Sequence, residues 1–178
     1  KAKSINFGII YGLSAFGLAK QIGVSRTLAK EYIELYFNQY PGIQTYMEKT
    51  TQELRDKGYV KTLFGRKIHI SGYNDRNAAI RGYAERQAIN APIQGTAADI
   101  IKRAMTKIPF TLKQKNLINT KLILQVHDEL IFEVKDSEVE LSKTTLGQLM
   151  EVAHKPLINI SVPLKVDIGI GTNWDEAH

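Results

Sequence analysis

The chain has 178 residues, 43% hydrophobic and 24% charged, enough for one good core or parts of two subdomains and too apolar for a disordered or fibrous protein. It contains no Cys, which excludes disulfides and thiolate metal sites, leaves oxygen and imidazole as metal ligands, and fits a reducing, cytoplasmic setting. The net charge of +6 is uneven, with 19 Lys/Arg against 8 Asp/Glu in residues 1–115 and 5 against 10 in residues 116–178, and no run approaches the roughly 20 apolar residues of a membrane span. A basic body and an acidic end suit a protein that grips a polyanion and also holds divalent cations; solvated helix faces of differing charge would give the same count.

The chain opens on KAKSINFGIIYG without Met, which reads as a start inside a helix of a longer polypeptide. Lys3, Phe7 and Tyr11 are spaced i, i+4, i+8, so a cation and two rings share one helical face. An ammonium can neutralise a phosphate or give it a proton, and a ring can stack on a base or sugar; Phe7, Ile10 and Tyr11 could equally be core. Two helical patterns follow between Ser14 and Gln39, with Ser25 as an N-cap and Leu28, Tyr32, Leu35 and Tyr36 at inward-facing spacing. Pro41-Gly42 breaks the chain, and a charged amphipathic helix from Ile43 to Lys57 is ended by Gly58.

Tyr59–Phe64 and Lys67–Ser71 read as short strands around Gly65-Arg66, and Gly72–Asn77 as a loop. Asn77 to Lys115 holds two helical segments divided near Pro92. If the helical geometry holds through the proline, Arg86, Asn90 and Gln94 face one groove, and carboxamides suit the acceptors of a DNA minor groove; they serve as well as helix caps. From Thr96 the helix turns Ile100, Ile101 and Met105 to a core and Lys102, Arg103 and Lys107 to solvent or phosphate.

The stretch Leu122–Val134 sets two β-forming runs either side of His127, Asp128 and Glu129, which predicts an antiparallel hairpin with an acidic turn. Adjacent carboxylates repel each other and are most comfortable with a cation to hold, although Asp also serves ordinary turns through its backbone-bonding side chain. Ser137–Ala153 reads as a helix that packs through Val139, Leu146, Leu149 and Val152, with Asp136 or Ser137 capping its start. Leu164–Ile168 reads as a last strand, and the two glycines after it lack the third glycine and helix of a nucleotide loop.

Gln125-Val126-His127-Asp128-Glu129-Leu130 resembles motif C of the family A DNA polymerases, the bacterial DNA polymerase I group. Lys3-x-x-x-Phe7-Gly8-x-x-Tyr11-Gly12 resembles motif B of that family, on the nucleotide-binding helix of the fingers. ERQAINAPIQGTAADIIKRAM, residues 85–105, is similar to its palm segment after the fingers, and Thr62-Leu63-x-Gly65-Arg66 to a fingers segment. The likeness runs from Lys1 to about Trp174. One departure is that the Arg four residues before the motif B lysine would precede Lys1.

The resemblance implies metal-assisted nucleotidyl transfer, in which a primer 3′ hydroxyl attacks the α-phosphate of a deoxynucleoside triphosphate, with two Mg²⁺ ions as cofactors and primer-template DNA as partner. It implies catalytic roles for Asp128, Glu129 and Lys3, with Asp128 the direct metal ligand and Glu129 an auxiliary one. Lys3 would meet the triphosphate and protonate the leaving pyrophosphate, Phe7 would lie on the sugar, and Tyr11 would sit near the templating base. Arg86, Asn90 and Gln94 would contact primer-template, Gln125 and His127 the primer end, and Arg66 a nucleic acid. The family's other catalytic Asp, from motif A, would lie upstream of Lys1, so the 178 residues are expected not to polymerise alone.

The expected fold is α+β, mostly helical, with a small, largely antiparallel palm sheet; residues 1–80 would be fingers and 81–178 palm. The use implied is bacterial replication or repair near the nucleoid, with no membrane partner and no specified oligomeric state. Two rivals from other classes are a non-catalytic basic DNA-binding module and a metal-dependent nuclease or phosphohydrolase built on His127, Asp128 and Glu129. The second lacks further members, because His69, His154 and His178 show no ligand spacing.

Overall fold

The computed structural model describes residues 2–177, with side chains from residue 5 onward. The chain forms two compact units, Lys1–Gln94 and Gly95–His178. Both are α+β as expected, each with one two-stranded antiparallel sheet beside helices.

The first unit runs through α1 (Ala2–Ile10), α2 (Ala15–Ile22), α3 (Arg26–Gln39), α4 (Pro41–Lys57), β1 (Tyr59–Lys61), β2 (Lys67–His69) and the start of α5 (Ala78–Gln114). Local signals set these boundaries. Ser14 and Ser25 accept hydrogen bonds from the Gly17 and Leu28 amides at 3.2 and 3.1 Å, satisfying orphan donors at the helix starts. Gly58 ends α4 in the left-handed region at φ 72°, where a side chain would be strained. Pro41 opens α4 at its first turn, where a missing N–H is harmless.

Two apolar clusters hold this unit. Ile9, Leu18, Ala19 and Ala29 close the α1–α3 corner, with Ile5, Ile33, Tyr36 and Phe37 against them. Leu54, Val60, Ile70, Ala84 and Ala88 join α4, the β1–β2 hairpin and α5. The inward face of α3 therefore passes through Ala29, Ile33, Tyr36 and Phe37; Tyr36 lies there as expected, whereas Leu35, also expected inside, is 65% exposed. Helical spacing alone leaves the phase of a stripe open by a residue, and here α2 settles it.

The largest difference from the sequence reading is Pro92, which divides nothing: α5 is continuous over 37 residues. Pro92 has no N–H to give the Ala88 carbonyl, a defect that costs about 3 kcal/mol in a helix interior. Burial of Ala84, Ala88 and Ile89 on the N-terminal side opposes that cost. The Tyr46 hydroxyl also donates to the Ile89 carbonyl at 2.8 Å, fastening α4 to α5 one turn before the proline.

The second unit contains the rest of α5, β3 (Thr120–Val126), β4 (Glu129–Val134), a 3₁₀ turn (Asp136–Glu138), α6 (Val139–Glu151) and a short α7 (Trp174–Ala177). Ala104, Ile108 and Leu112 of α5 pack with Leu117, Leu146, Leu149 and Ala153, and Leu130 and Phe132 of β4 lean on the same cluster. Neither Asp136 nor Ser137 caps α6. Glu138 is its N-cap residue without a side-chain cap bond, its carboxylate instead gathering the Asn119 amide, the Asn119 carboxamide at 2.8 Å and the Thr120 hydroxyl at 2.9 Å. Thr120 and Ser142 share a buried hydroxyl hydrogen bond of 2.7 Å, which ties β3 to α6.

Val152 is 46% exposed rather than packed, because α6 ends at Glu151 and the chain turns there. Leu164–Ile168 forms no strand. A strand exists only where its backbone groups are paired, and among the described residues β3 pairs with β4 alone.

Candidate functional site

The acidic turn sits where the sequence places it. β3 and β4 pair in antiparallel register from Thr120↔Val134 to Val126↔Glu129, leaving His127 and Asp128 as a two-residue turn. Between Leu122 and Leu124 the register shifts, and this bulge puts Ile123 out of the ladder, 58% exposed. Leu130 and Phe132 face the core, so strand alternation turns Glu129 and Ile131 to the opposite face, beside their partners Val126 and Leu124. Asp128 stands exposed at the tip and Glu129 is half-buried below it.

His127 has φ +50°, the left-handed region that few residues with a Cβ adopt, and such strain clusters at functional sites. The Gln125 carboxamide donates to the His127 carbonyl oxygen at 2.7 Å and braces the turn. Gln125, read as a primer contact, thus spends one of its two N–H donors on the turn and keeps the other and its carbonyl oxygen for other use. Among the described residues no group of three His, Asp or Glu side chains is arranged to hold a metal ion. Asp128 and Glu129 are suitable oxygen donors for a hard cation, but as a pair they supply only part of a coordination shell.

In the first unit, α1 carries Phe7, and Tyr11 follows in the turn just past its end, its amide donating to the Phe7 carbonyl at 2.9 Å. Ile9 is buried, while of the two rings Phe7 is 46% exposed and Tyr11 is half-buried. Their centroids are 5.7 Å apart and tilted by 42°. Lys3 belongs to the same helix, and its side chain lies outside the described residues. Gly12 follows at φ +74°, and a Cβ there would meet the Arg86 Cγ at 3.2 Å and the Ile89 Cδ1 at 3.4 Å.

Because α5 is unbroken, Arg86, Asn90 and Gln94 do follow one another along it, but they open on two hollows. Arg86 lines a cleft of about 540 Å³ with Gly12, Met47, Arg55 and Glu85, and its guanidinium lies 5.9 Å from the Tyr83 ring. Asn90 and Gln94 line another of about 390 Å³ with His69, Ile70, Gln87 and Ala91. The Asn90 Oδ1 is buried there with no hydrogen-bond partner among the described residues, a state that costs about 1–3 kcal/mol unless a ligand donor fills it. Sequence reading missed Gln87 and His69. Gln87 stands three residues before Asn90, a helical neighbour, whereas His69 comes from β2 and only folding brings it to the cleft.

Comparisons with known proteins place nearly the whole chain in one family. The model of DNA polymerase family A matches residues 1–176. A DNA polymerase I of Rhizobium leguminosarum is 52% identical over 100% of this chain and 18% of its own length, and one of Pseudomonas aeruginosa is 51% identical over 99% and 19%. The solved polymerase domain of Pol1 from M. smegmatis, in complex with DNA primer-template and dNTP, superposes with a TM-score of 0.91 at 39% identity, covering 98% of this chain and 30% of that one. The chain belongs to DNA polymerase family A. It spans about a fifth of the length of the curated relatives it matches. Among the described residues no helix is long and apolar enough to cross a membrane.

Proposed function

We propose that this chain supplies the nucleotide-facing helix and the acidic hairpin of a DNA-directed DNA polymerase that extends a primer by nucleotidyl transfer in bacterial replication or repair. The observation that carries it is the strained, braced turn at His127-Asp128 in a chain that matches the family over residues 1–176. In this reading residues 1–80 act as fingers and 81–178 as palm. The substrates are primer-template DNA and deoxynucleoside triphosphates, as in the complex of the M. smegmatis domain.

Asp128, at the tip, is the direct ligand of a divalent cation, with Glu129 auxiliary beneath it. The cation, Mg²⁺ by the family resemblance, supplies charge neutralisation at the reacting phosphate when bound. His127, whose turn Gln125 holds in place, meets the primer terminus. Phe7 and Tyr11 offer ring faces to the nucleotide sugar and the templating base, and Lys3 gives a proton to the departing pyrophosphate. The acceptor left open at Asn90 Oδ1 takes a donor from the minor groove, where guanine N2 is the only base donor, while Gln94 and Arg86 hold the neighbouring strand. Two carboxylates do not complete a two-ion site, so catalysis draws further ligands from outside the described residues, and the 178 residues by themselves do not polymerise.

Primer-template DNA titrated with this chain tests the reading. Mg²⁺ and the matching nucleotide should tighten binding for wild type and not for Asp128→Ala. Binding that depends on salt alone and ignores Mg²⁺ and the substitution would instead mark a non-catalytic DNA-binding module. Mg²⁺-dependent cleavage of DNA lost in Asp128→Asn would mark a nuclease.

A further inference from the structure

The β1–β2 hairpin presents a face that none of the assigned roles uses. Val60 is fully buried and Ile68 leans on the same core, so alternation turns Tyr59, Lys61, Lys67 and His69 outward. Tyr59 pairs with His69 and Lys61 with Lys67 in the strand register. The Tyr59 and His69 rings are 5.4 Å apart and tilted by 56°. The Lys67 Nζ lies 4.7 Å and the Lys61 Nζ 5.9 Å from the Tyr59 ring centre.

Two ammoniums directly opposite each other across a hairpin are destabilising, and among the described residues no carboxylate pairs with either. A fold that keeps this repulsion gains from it when an anion arrives. Phosphates alone would explain the lysines but not the rings beside them. Ring faces take bases, and only unpaired bases can reach them, since those of a duplex are stacked inside it. His69 belongs to this face and also lines the cleft with Asn90 and Gln94, so the two surfaces are continuous through one side chain.

We propose that Tyr59, Lys61, Lys67 and His69 form a platform for single-stranded DNA, with phosphates on the two ammoniums and bases against the two rings. The inference deepens the polymerase reading and rests on it in one respect: a polymerase's unpaired template is the single strand at hand. A strand leaving the Asn90 cleft past His69 runs onto the hairpin.

Anisotropy titrations of this chain with a labelled oligothymidylate and with a blunt-ended duplex test the platform, in parallel with thermal melts of each variant. Tyr59→Leu should weaken oligothymidylate binding roughly tenfold, on the scale of one lost base stack, and change duplex binding less than twofold. Tyr59→Phe should bind like wild type. Lys61→Gln with Lys67→Gln, both exposed and harmless to the core, should flatten the salt dependence on oligothymidylate by about 1.4, as for two phosphates on a single strand. The platform is overturned if the lysine pair leaves that slope unchanged, if well-folded ring variants lose duplex and single-strand binding equally, or if the wild-type chain does not bind oligothymidylate. Failure of the polymerase reading is distinguishable: duplex binding would then ignore Mg²⁺, nucleotide and Asp128→Ala while platform-dependent single-strand binding persisted.

Discussion

The side-chain amide of Gln125 donates to the main-chain oxygen of His127 across 2.7 Å, so the last polar residue of β3 holds the turn that carries Asp128. Gln125→Ala removes this brace from a turn whose backbone is already strained at His127. The expected loss of stability is small, about 0.5–1.5 kcal/mol for one hydrogen bond. Gln125→Glu, which cannot donate when ionised, should be no better. The Mg²⁺-dependent part of primer-template binding should weaken several-fold in both, while the Mg²⁺-independent part stays; equal loss of both would show that Gln125 touches the DNA rather than the turn.

Gly12 lies in the left-handed region at φ +74°, with Arg86 Cγ 3.2 Å from where a Cβ would be. Gly12→Ala should cost about 1–2 kcal/mol from backbone strain, with Arg86 displaced as well. Thermal unfolding should show the lower stability. Duplex affinity should fall beyond what Arg86→Lys produces, since that variant keeps both the glycine and a positive charge.

Tyr46→Phe removes the hydroxyl that donates to the Ile89 carbonyl next to the proline turn of α5. Burial raises the phenol's pKa, against a smaller opposite effect from its hydrogen bond with Thr50, so the group stays a neutral donor at physiological pH. The substitution should destabilise by about 1 kcal/mol, and hydrogen exchange at the amides of residues 88–91, 93 and 94 should quicken more than in α4. Uniform quickening over both helices would separate the bond from the proline.

Glu138 should shape the acid limb of stability. Desolvation pushes its pKa up, but hydrogen bonds from Asn119 and Thr120 outweigh that and hold it below the ordinary 4.5. A depressed folded value means a contribution complete above 4.5 and lost as pH falls through the folded pKa. Glu138→Gln should flatten the stability profile over that window and lower the melting temperature at neutral pH. An unchanged acid limb would assign it to other carboxylates, Glu176 first, which its bonds to Thr172 and Asn173 also hold low.

Much of the candidate site was legible because it is local. The hairpin needed only two β-forming runs about a two-residue turn, and the Phe7–Tyr11 row only the helical repeat. Motif strings carried the family. Asn90, Gln94 and His69 show the limit: the first two are one turn apart on a helix, but their meeting with a β2 imidazole depends on where the β1–β2 hairpin docks, which no window of sequence contains.

The sequence by itself determined the starts of α2 and α3 and the end of α4, since the caps Ser14, Ser25 and Gly58 act within a few residues of where they stand. Tertiary structure decided whatever weighs a local preference against burial or pairing. Pro92 is a helix breaker locally, yet α5 runs through it beside buried Ala84, Ala88 and Ile89. Leu164–Ile168 has strand composition but no partner among the described residues, and backbone hydrogen bonds need two sides. Propensities here differ by about 1 kcal/mol or less per residue, while burying a side chain or losing a ladder is worth more, so contacts far apart in sequence have the final word.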